Sequence, residues 1–218
     1  IKLILDGVFN HTGDQFWAFR DLMRRGMASP YQRWYNCHLP VTQFPKPNYE
    51  CWWGIETLPK LNFADQEVVR YILRIVACWT LTGIDGWRLD VPNEVRADFW
   101  PIFRRLVKTL NPDAYIVGEI WDDAAFWLQG DKFDSVMNYP LRDLMISFFA
   151  KKEINADRFD QGLTALRSRY SEKVTRSMFN LLGSHDTQRF LTICHGERRR
   201  MLLALLFLFT YPGVPVIY

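Results

Sequence analysis

The chain has 218 residues, 49% of them hydrophobic and 23% charged, the balance of a globular protein with one sizeable core rather than a disordered or fibrous one. Its net charge is only +3 and its basic residues are scattered; the tightest cluster, Arg198 to Arg200, reads as a solvated helix start, so no nucleic-acid partner is implied. The most apolar stretch, Met201 to Phe209, is broken soon afterwards by Pro212 and Gly213, too short for a membrane span, and it predicts a buried helix.

Strand-like and helix-like runs alternate along the chain, the pattern of an α/β fold with parallel strands. Strands are predicted at 2–9, 84–91, 115–120, 133–138, 178–183 and 214–218, and helices near 65–82, 96–110, 140–151, 157–170 and 196–210. In the first helix Val68, Ile72, Ile75, Val76 and Trp79 recur at helical spacing and form one apolar face. Asn111-Pro112 ends the second. Residues 12–62 read as an irregular insertion, rich in Pro40, Pro45, Pro47, Tyr49 and Trp52-Trp53-Gly54, without helical period after about Arg25. Phe16, Trp17 and Trp34 read as core. Cys37, Cys51, Cys78 and Cys194 show neither CxxC nor metal-ligand spacing and read as idle or buried thiols. Both ends are strand-like, with no initiator Met, which reads as a fragment cut at both ends. Such a piece is expected to leave sheet edges unpaired and to be unstable alone.

Four of the apolar runs end at their C-terminal side in polar residues: Asp6 with Asn10 and His11, Arg88 with Asp90, Glu119, and His185 with Asp186. Polar groups at the C-terminal ends of successive parallel strands are the active-site layout of a (β/α)8 barrel. A doubly wound sheet is the competitor, but no Gly-rich phosphate loop follows any strand. A barrel of about 250 residues devotes about 31 to each βα unit. Asp90 to Glu119 is 29 residues and Glu119 to Asp186 is 67, one and two units. Asp6 to Asp90 is 84, one unit plus the insertion.

The acids also suit one chemistry. Retaining glycoside hydrolysis uses two carboxyl groups about 5–5.5 Å apart, one a nucleophile and one an acid/base. Arg88, two residues before Asp90 on the same strand face, would keep Asp90 charged. Glu119 follows Ile116-Val117-Gly118, an apolar setting that suits an acid. Singly, each feature has a plainer account: a structural ion pair, a loop carboxylate, a surface His-Asp. Their coincidence at successive strand ends carries the inference.

Six segments, in order, resemble the α-amylase family of glycoside hydrolases (family 13): Asp6-Gly-Val-Phe-Asn-His11, Leu58-Pro-Lys-Leu-Asn62, Gly86-Trp-Arg-Leu-Asp-Val91, Gly118-Glu-Ile-Trp121, Leu182-Gly-Ser-His-Asp186 and Gly213-Val-Pro-Val-Ile-Tyr218. Within it, Leu58 to Asn62 and Val91-Pro-Asn-Glu94 look most like the neopullulanase, cyclomaltodextrinase and maltogenic amylase group, though Pro92 stands where that group more often has Ala. The resemblance implies a partial (β/α)8 barrel, about strand 3 to strand 8, over 1–11 and 63–218, with 12–62 as an inserted domain. The first two strands, about 60 residues, would lie upstream of Ile1. It implies Asp90 as nucleophile, Glu119 as general acid then base, and Asp186 as stabiliser of the strained sugar. Arg88 would orient Asp90, and His11 and His185 would hydrogen-bond the sugar. Asp6 would be structural, Glu94 would lie near the acceptor side, and Trp121 and the Trp52-Trp53 pair would stack on glucose rings, packing being the other account of that pair. Asn10 matches a calcium-binding position in many members; no cofactor is required, calcium being the candidate.

The implied substrates are α-1,4-glucans such as cyclodextrins, pullulan, starch or maltooligosaccharides. Glucosyl transfer, or action on α-1,6 links or sucrose, uses the same carboxylates and stays open. Some relatives, such as amino-acid transporter heavy chains, have lost the chemistry, but here all three carboxylates, Arg88 and both histidines are present. A homodimeric parent enzyme and a cytoplasmic location agree with the resemblance, and neither a membrane nor a nucleic acid is an expected partner.

Overall fold

A computed structural model describes residues 1–43 and 46–218; Pro45, one of the prolines of the expected insertion, falls outside the described residues. The chain packs as two compact units, Ile1–Tyr115 and Ile116–Tyr218. Each strand below is parallel to the one it pairs with, and helices follow the strands, so the fold is α/β, a partial (β/α)8 barrel.

In the first unit β1 (Ile4–Gly7) pairs with β2 (Gly86–Leu89), Ile4 opposite Gly86 and Asp6 opposite Arg88. Between them run α1 (Trp17–Arg25) and α2 (Gln66–Leu81), and α3 (Phe99–Leu110) follows β2. Asp65 starts α2 as a cap, its carboxylate accepting from the Glu67 N–H at 2.7 Å. Phe9, Trp87 and Phe103 meet at ring-centroid distances of 5.8–6.2 Å as the aromatic centre of this unit. Gly86 is required because an added Cβ would strike the Tyr115 carbonyl.

The buried face of α2 differs from expectation. Val68, Ile72 and Val76 are buried and Ile75 is partly so, but Trp79 is half-exposed and Thr80 takes its place inside. The Thr80 hydroxyl donates to the Val76 carbonyl at 2.7 Å and accepts from Trp87 Nε1 at 3.1 Å, so its polar atom is satisfied in the core. Trp34 is buried as expected, whereas Trp17 is nearly half-exposed, its edges against Tyr31, Trp34 and Tyr71. The described residues of 26–62 hold short 3-10 turns at Gly26–Ala28, Gln32–Trp34 and Trp52–Gly54 and isolated antiparallel bridges such as Cys51 with Pro59, and Lys60 bridges to His11.

In the second unit β3 (Tyr115–Gly118) pairs with β4 (Ser135–Val136), and β5 (Phe179–Leu181) with β6 (Val214–Val216). Met137 bridges to Phe179, and the buried Asn180 amide joins the strand ends, accepting from Asn138 at 3.0 Å and donating to the Pro212 carbonyl at 2.9 Å. Helix α4 (Tyr139–Met145) runs into a π turn at Ile146–Ala150. Then come α5 (Ala156–Arg169), α6 (Glu172–Ser177), α7 (Phe190–Ile193) and α8 (Arg198–Thr210). Leu141, Met145, Phe159, Leu163, Phe190 and Leu208 anchor the core.

Helix α8 is not the buried helix expected from its composition. Ala204 and Leu208 are buried, but Leu202, Leu203, Leu206 and Phe209 are each more than half exposed. The helix is apolar all round, so its sequence favours no face, and the described chain packs against one side only. Its start is solvated as expected at Arg198 and Arg199, while Arg200 turns back to the Ala150 carbonyl at 2.8 Å. No described helix is long and apolar enough to cross a membrane, and the four cysteines are free thiols.

Candidate active site

The sequence-predicted site residues fall into two groups, one in each unit. The first lies at the C-terminal ends of β1 and β2. Because Asp6 and Arg88 stand opposite each other and Asp90 is two residues on, one guanidinium serves both acids. Arg88 Nη1 lies 2.9 Å from Asp6 Oδ1 and 2.8 Å from Asp90 Oδ1. The Asp90 N–H donates to the Gly7 carbonyl at 3.1 Å, fixing its backbone to β1. The strand then stops at Val91, which adopts the left-handed conformation (φ 33°, ψ 51°), rare for a β-branched residue. Such strain persists where surrounding contacts over-determine it. A 3-10 turn, Pro92–Glu94, follows and is fixed by Trp100 Nε1 donating to the Pro92 carbonyl at 2.9 Å.

His11 belongs to the same group. Its backbone neighbours pair with the segment at 59–61, Thr12 N–H to Pro59 O at 3.0 Å and Leu61 N–H to Asn10 O at 2.9 Å. Burial lowers the His11 pKa from the ordinary 6.5; Asp90 and Glu94 oppose that and Lys60 adds to it. Its ring stacks on Trp52 at 5.3 Å and 25°, and Trp52 stacks on Trp53 at 5.1 Å and 17°. Glu94 accepts from Trp53 Nε1 at 3.1 Å and from Lys60 Nζ at 3.2 Å, and Lys60 also pairs with Glu50 at 3.1 Å. Lys60 and Glu50 carried no role in the sequence reading, although Lys60 sits inside one of the motifs.

The buried Asn10 side chain sits 3.2 Å from His11 Nδ1 through its amide nitrogen, and its backbone carbonyl is already used by Leu61. A calcium ion takes six to eight oxygens. Among the described residues no three His, Cys, Asp or Glu come together as a metal-binding group, and no step below runs through a metal.

The second group lies at the ends of β3 and β5. Glu119 follows the strand directly and is 3% exposed. Phe133 packs over Gly118, where an added Cβ would come within 2.7 Å of the ring. Trp121 lies flat on the buried Tyr139, centroids 3.7 Å apart and planes 11° apart, leaving its other face exposed. The Tyr139 hydroxyl meets Ser184 Oγ at 3.2 Å, and that oxygen accepts from the Asp186 N–H at 3.3 Å. Asp186 is exposed, 3.1 Å from His185 Nε2. The His185 ring stands edge-on to Tyr218, which Arg189 covers at 4.3 Å. A lone Tyr such as Tyr139 carries no spacing signal, and Ser184, although inside the Leu182–Asp186 motif, is marked there by no role of its own.

Comparison with known proteins gives this arrangement its context. The alpha-amylase catalytic domain family matches the chain over residues 1–218. Neopullulanase 2 of Thermoactinomyces vulgaris is 53% identical over 220 residues, covering 100% of this chain and 38% of that protein. A cyclomaltodextrinase of Thermoanaerobacter pseudethanolicus is 49% identical, again over 100% of this chain and 38% of the relative. Among solved structures, the cyclic alpha-maltosyl-(1→6)-maltose hydrolase of Arthrobacter globiformis, in complex with that sugar, overlays with a TM-score of 0.98 at 42% identity, covering all of this chain and 50% of its own. The chain spans about 38% of the length of the curated relatives it matches, and throughout that span it belongs to the α-amylase family, as part of the family's catalytic domain.

Proposed function

We propose that the protein containing this chain hydrolyses α-glucosidic bonds with retention, α-1,4 links in cyclodextrins, pullulan, starch or maltooligosaccharides being the first substrates to try. The observation that carries this reading is the Arg88–Asp90 pair at the end of β2, 2.8 Å long, in a family whose relatives here are carbohydrate-acting enzymes. Arg88 donates to one oxygen of Asp90 and so directs the nucleophilic carboxylate. The Asp90 carboxylate attacks the anomeric carbon while Glu119 gives its proton to the departing glycosidic oxygen, leaving a glucosyl ester on Asp90. Glu119, now a base, takes a proton from water as that water attacks the same carbon and frees Asp90. The burial of Glu119 supports its role as the acid. Asp186, exposed and on a fixed turn, grips sugar hydroxyls in the strained state, with His185 and His11 as hydrogen-bond partners. Trp121, Trp53 and Glu94 contact neighbouring glucose units, Asp6 and Asn10 support the site, and residues 12–62 form an inserted domain beside a barrel of 1–11 and 63–218.

A glucosyl acceptor in place of water would make the same enzyme a transferase. The 1→6 linkage in the sugar named for the Arthrobacter globiformis enzyme puts α-1,6 bonds among the substrates to test. The deciding experiment gives the full-length gene product cyclodextrin, pullulan, starch, maltooligosaccharides, an α-1,6-linked glucan and sucrose, and reads the anomer of the first product by NMR. Cleavage with retained configuration is expected. An inverted product, or no cleavage of any of them, would overturn the assignment.

A further inference from the structure

Glu94 is held at both ends of its carboxylate. Trp53 Nε1 donates to Oε1 at 3.1 Å and Lys60 Nζ to Oε2 at 3.2 Å. The two donors belong to one tight hairpin, closed by the Cys51–Pro59 bridge and by Trp52 N–H to Leu58 O at 3.0 Å, so their separation is set by backbone pairing. Burial alone cannot place the Trp53 indole, which is 78% exposed. Its backbone is left-handed (φ 49°, ψ 29°), unfavourable for a bulky side chain. What holds it is the face of Trp52 on one side and the Glu94 oxygen at its N–H. Burial pulls the Lys60 pKa down, but the hydrogen bonds to Glu50 and Glu94 outweigh that and raise it, so the ammonium stays charged. Glu50 draws Lys60 from the far side at 3.1 Å, which fixes the direction from which it reaches Glu94.

We propose that Trp53 and Lys60 are positioning residues for Glu94, aiming its carboxylate at the rim beside His11 so that an incoming sugar hydroxyl meets a fixed, charged acceptor. The inference rests on the glycosidase reading for its substrate class, but the clamp itself is a property of this hairpin. It assigns the Trp53 N–H and inner face to Glu94 and Trp52, leaving the outer face for a sugar ring.

The test is a double-mutant cycle in the full-length gene product, using Trp53→Phe, which keeps a ring against Trp52, Lys60→Met, Glu94→Ala and the two doubles. Each single change to a donor is expected to lower kcat/KM about three- to tenfold, mainly through KM, the loss of one solvent-accessible charged hydrogen bond. In the Glu94→Ala background the same changes should each cost less than twofold. Because Trp53→Phe keeps an aromatic face for the sugar, additive losses would overturn the proposal: the Trp53 N–H and the Lys60 ammonium would then act independently of Glu94. A second readout does not need turnover. The indole N–H signal of Trp53, assigned from its disappearance in Trp53→Phe, should shift and exchange faster with water in Glu94→Ala. An unmoved signal would sink the clamp even in an inactive protein, whereas inactivity of the parent sinks only the function.

Discussion

A single nitrogen of Arg88, Nη1, donates to both Asp6 and Asp90, reaching the two oxygens of Asp6 at 2.9 and 3.1 Å and Asp90 Oδ1 at 2.8 Å. The arrangement makes Asp6 the back anchor of the guanidinium and Asp90 its forward partner. Replacing Arg88 by Met leaves two carboxylates facing an apolar stem. We expect kcat/KM to fall about 10- to 100-fold, as for one charged hydrogen bond worth about 1.5–3 kcal/mol. Unfolding free energy should drop by about 1–3 kcal/mol, below the cost of breaking a fully buried pair because Asp6 is half-exposed. Steady-state kinetics and urea titration measure the two; wild-type values in both would refute the anchoring role.

Asp90→Asn and Glu119→Gln should each remove most of the activity, by about a thousandfold or more, while substrate binding survives in calorimetry. Near-normal turnover in either variant is the outcome that rejects the mechanism.

His11 should titrate below the ordinary 6.5, because burial disfavours its charged form. The unfolded chain then binds the proton more readily than the folded one, so the stability His11 contributes is present above about pH 6.5 and fades as pH falls toward its folded pKa. Lys60→Met should raise the folded pKa and Asp90→Asn should lower it further, since Lys60 opposes and Asp90 favours the charged ring. An NMR pH titration of the His11 ring in each variant checks both signs.

Gly86→Ala should destabilise the fold by about 1–3 kcal/mol, because the added methyl meets backbone at the Tyr115 carbonyl, which cannot swing aside. Chemical denaturation of the purified variant measures it, and a loss under half a kcal/mol would show that β2 can shift.

Thr80→Val should cost about 1–2 kcal/mol by stranding the indole N–H of Trp87, whereas Thr80→Ser should cost less, since it keeps the acceptor. Equal effects from the two would show that shape, and not the hydrogen bond, governs the site.

The alternation of elements and the family were legible in the sequence because apolar period and motif spacing are local properties. Less was legible wherever packing decided. Trp79 and Thr80 are neighbours on α2, and a hydrophobicity pattern chooses the indole, but a hydroxyl that serves Val76 and Trp87 together takes the inner place. Helix α1 begins at Trp17 with no side-chain cap and no acid in its first turn, so its start carries no signal, although Arg24, Arg25 and Gly26 mark its end. Helix α6 has its Ser171 cap but only six residues, too few to show a period. In the candidate site the strand-end acids were visible; the work of Lys60 and Ser184 was not, because it lies in a bond to Glu94, 34 residues on, and in a hydroxyl that accepts the Asp186 backbone N–H.

The pile of His11, Trp52 and Trp53 has an optical consequence. Two indoles 5.1 Å apart and nearly parallel couple their transitions, and the outer one faces solvent. The pair should give the protein a near-ultraviolet circular dichroism band of its own. Anything that settles on the open face of Trp53, or protonates the imidazole at the other end, should alter that band, giving a label-free signal of events at one wall of the site.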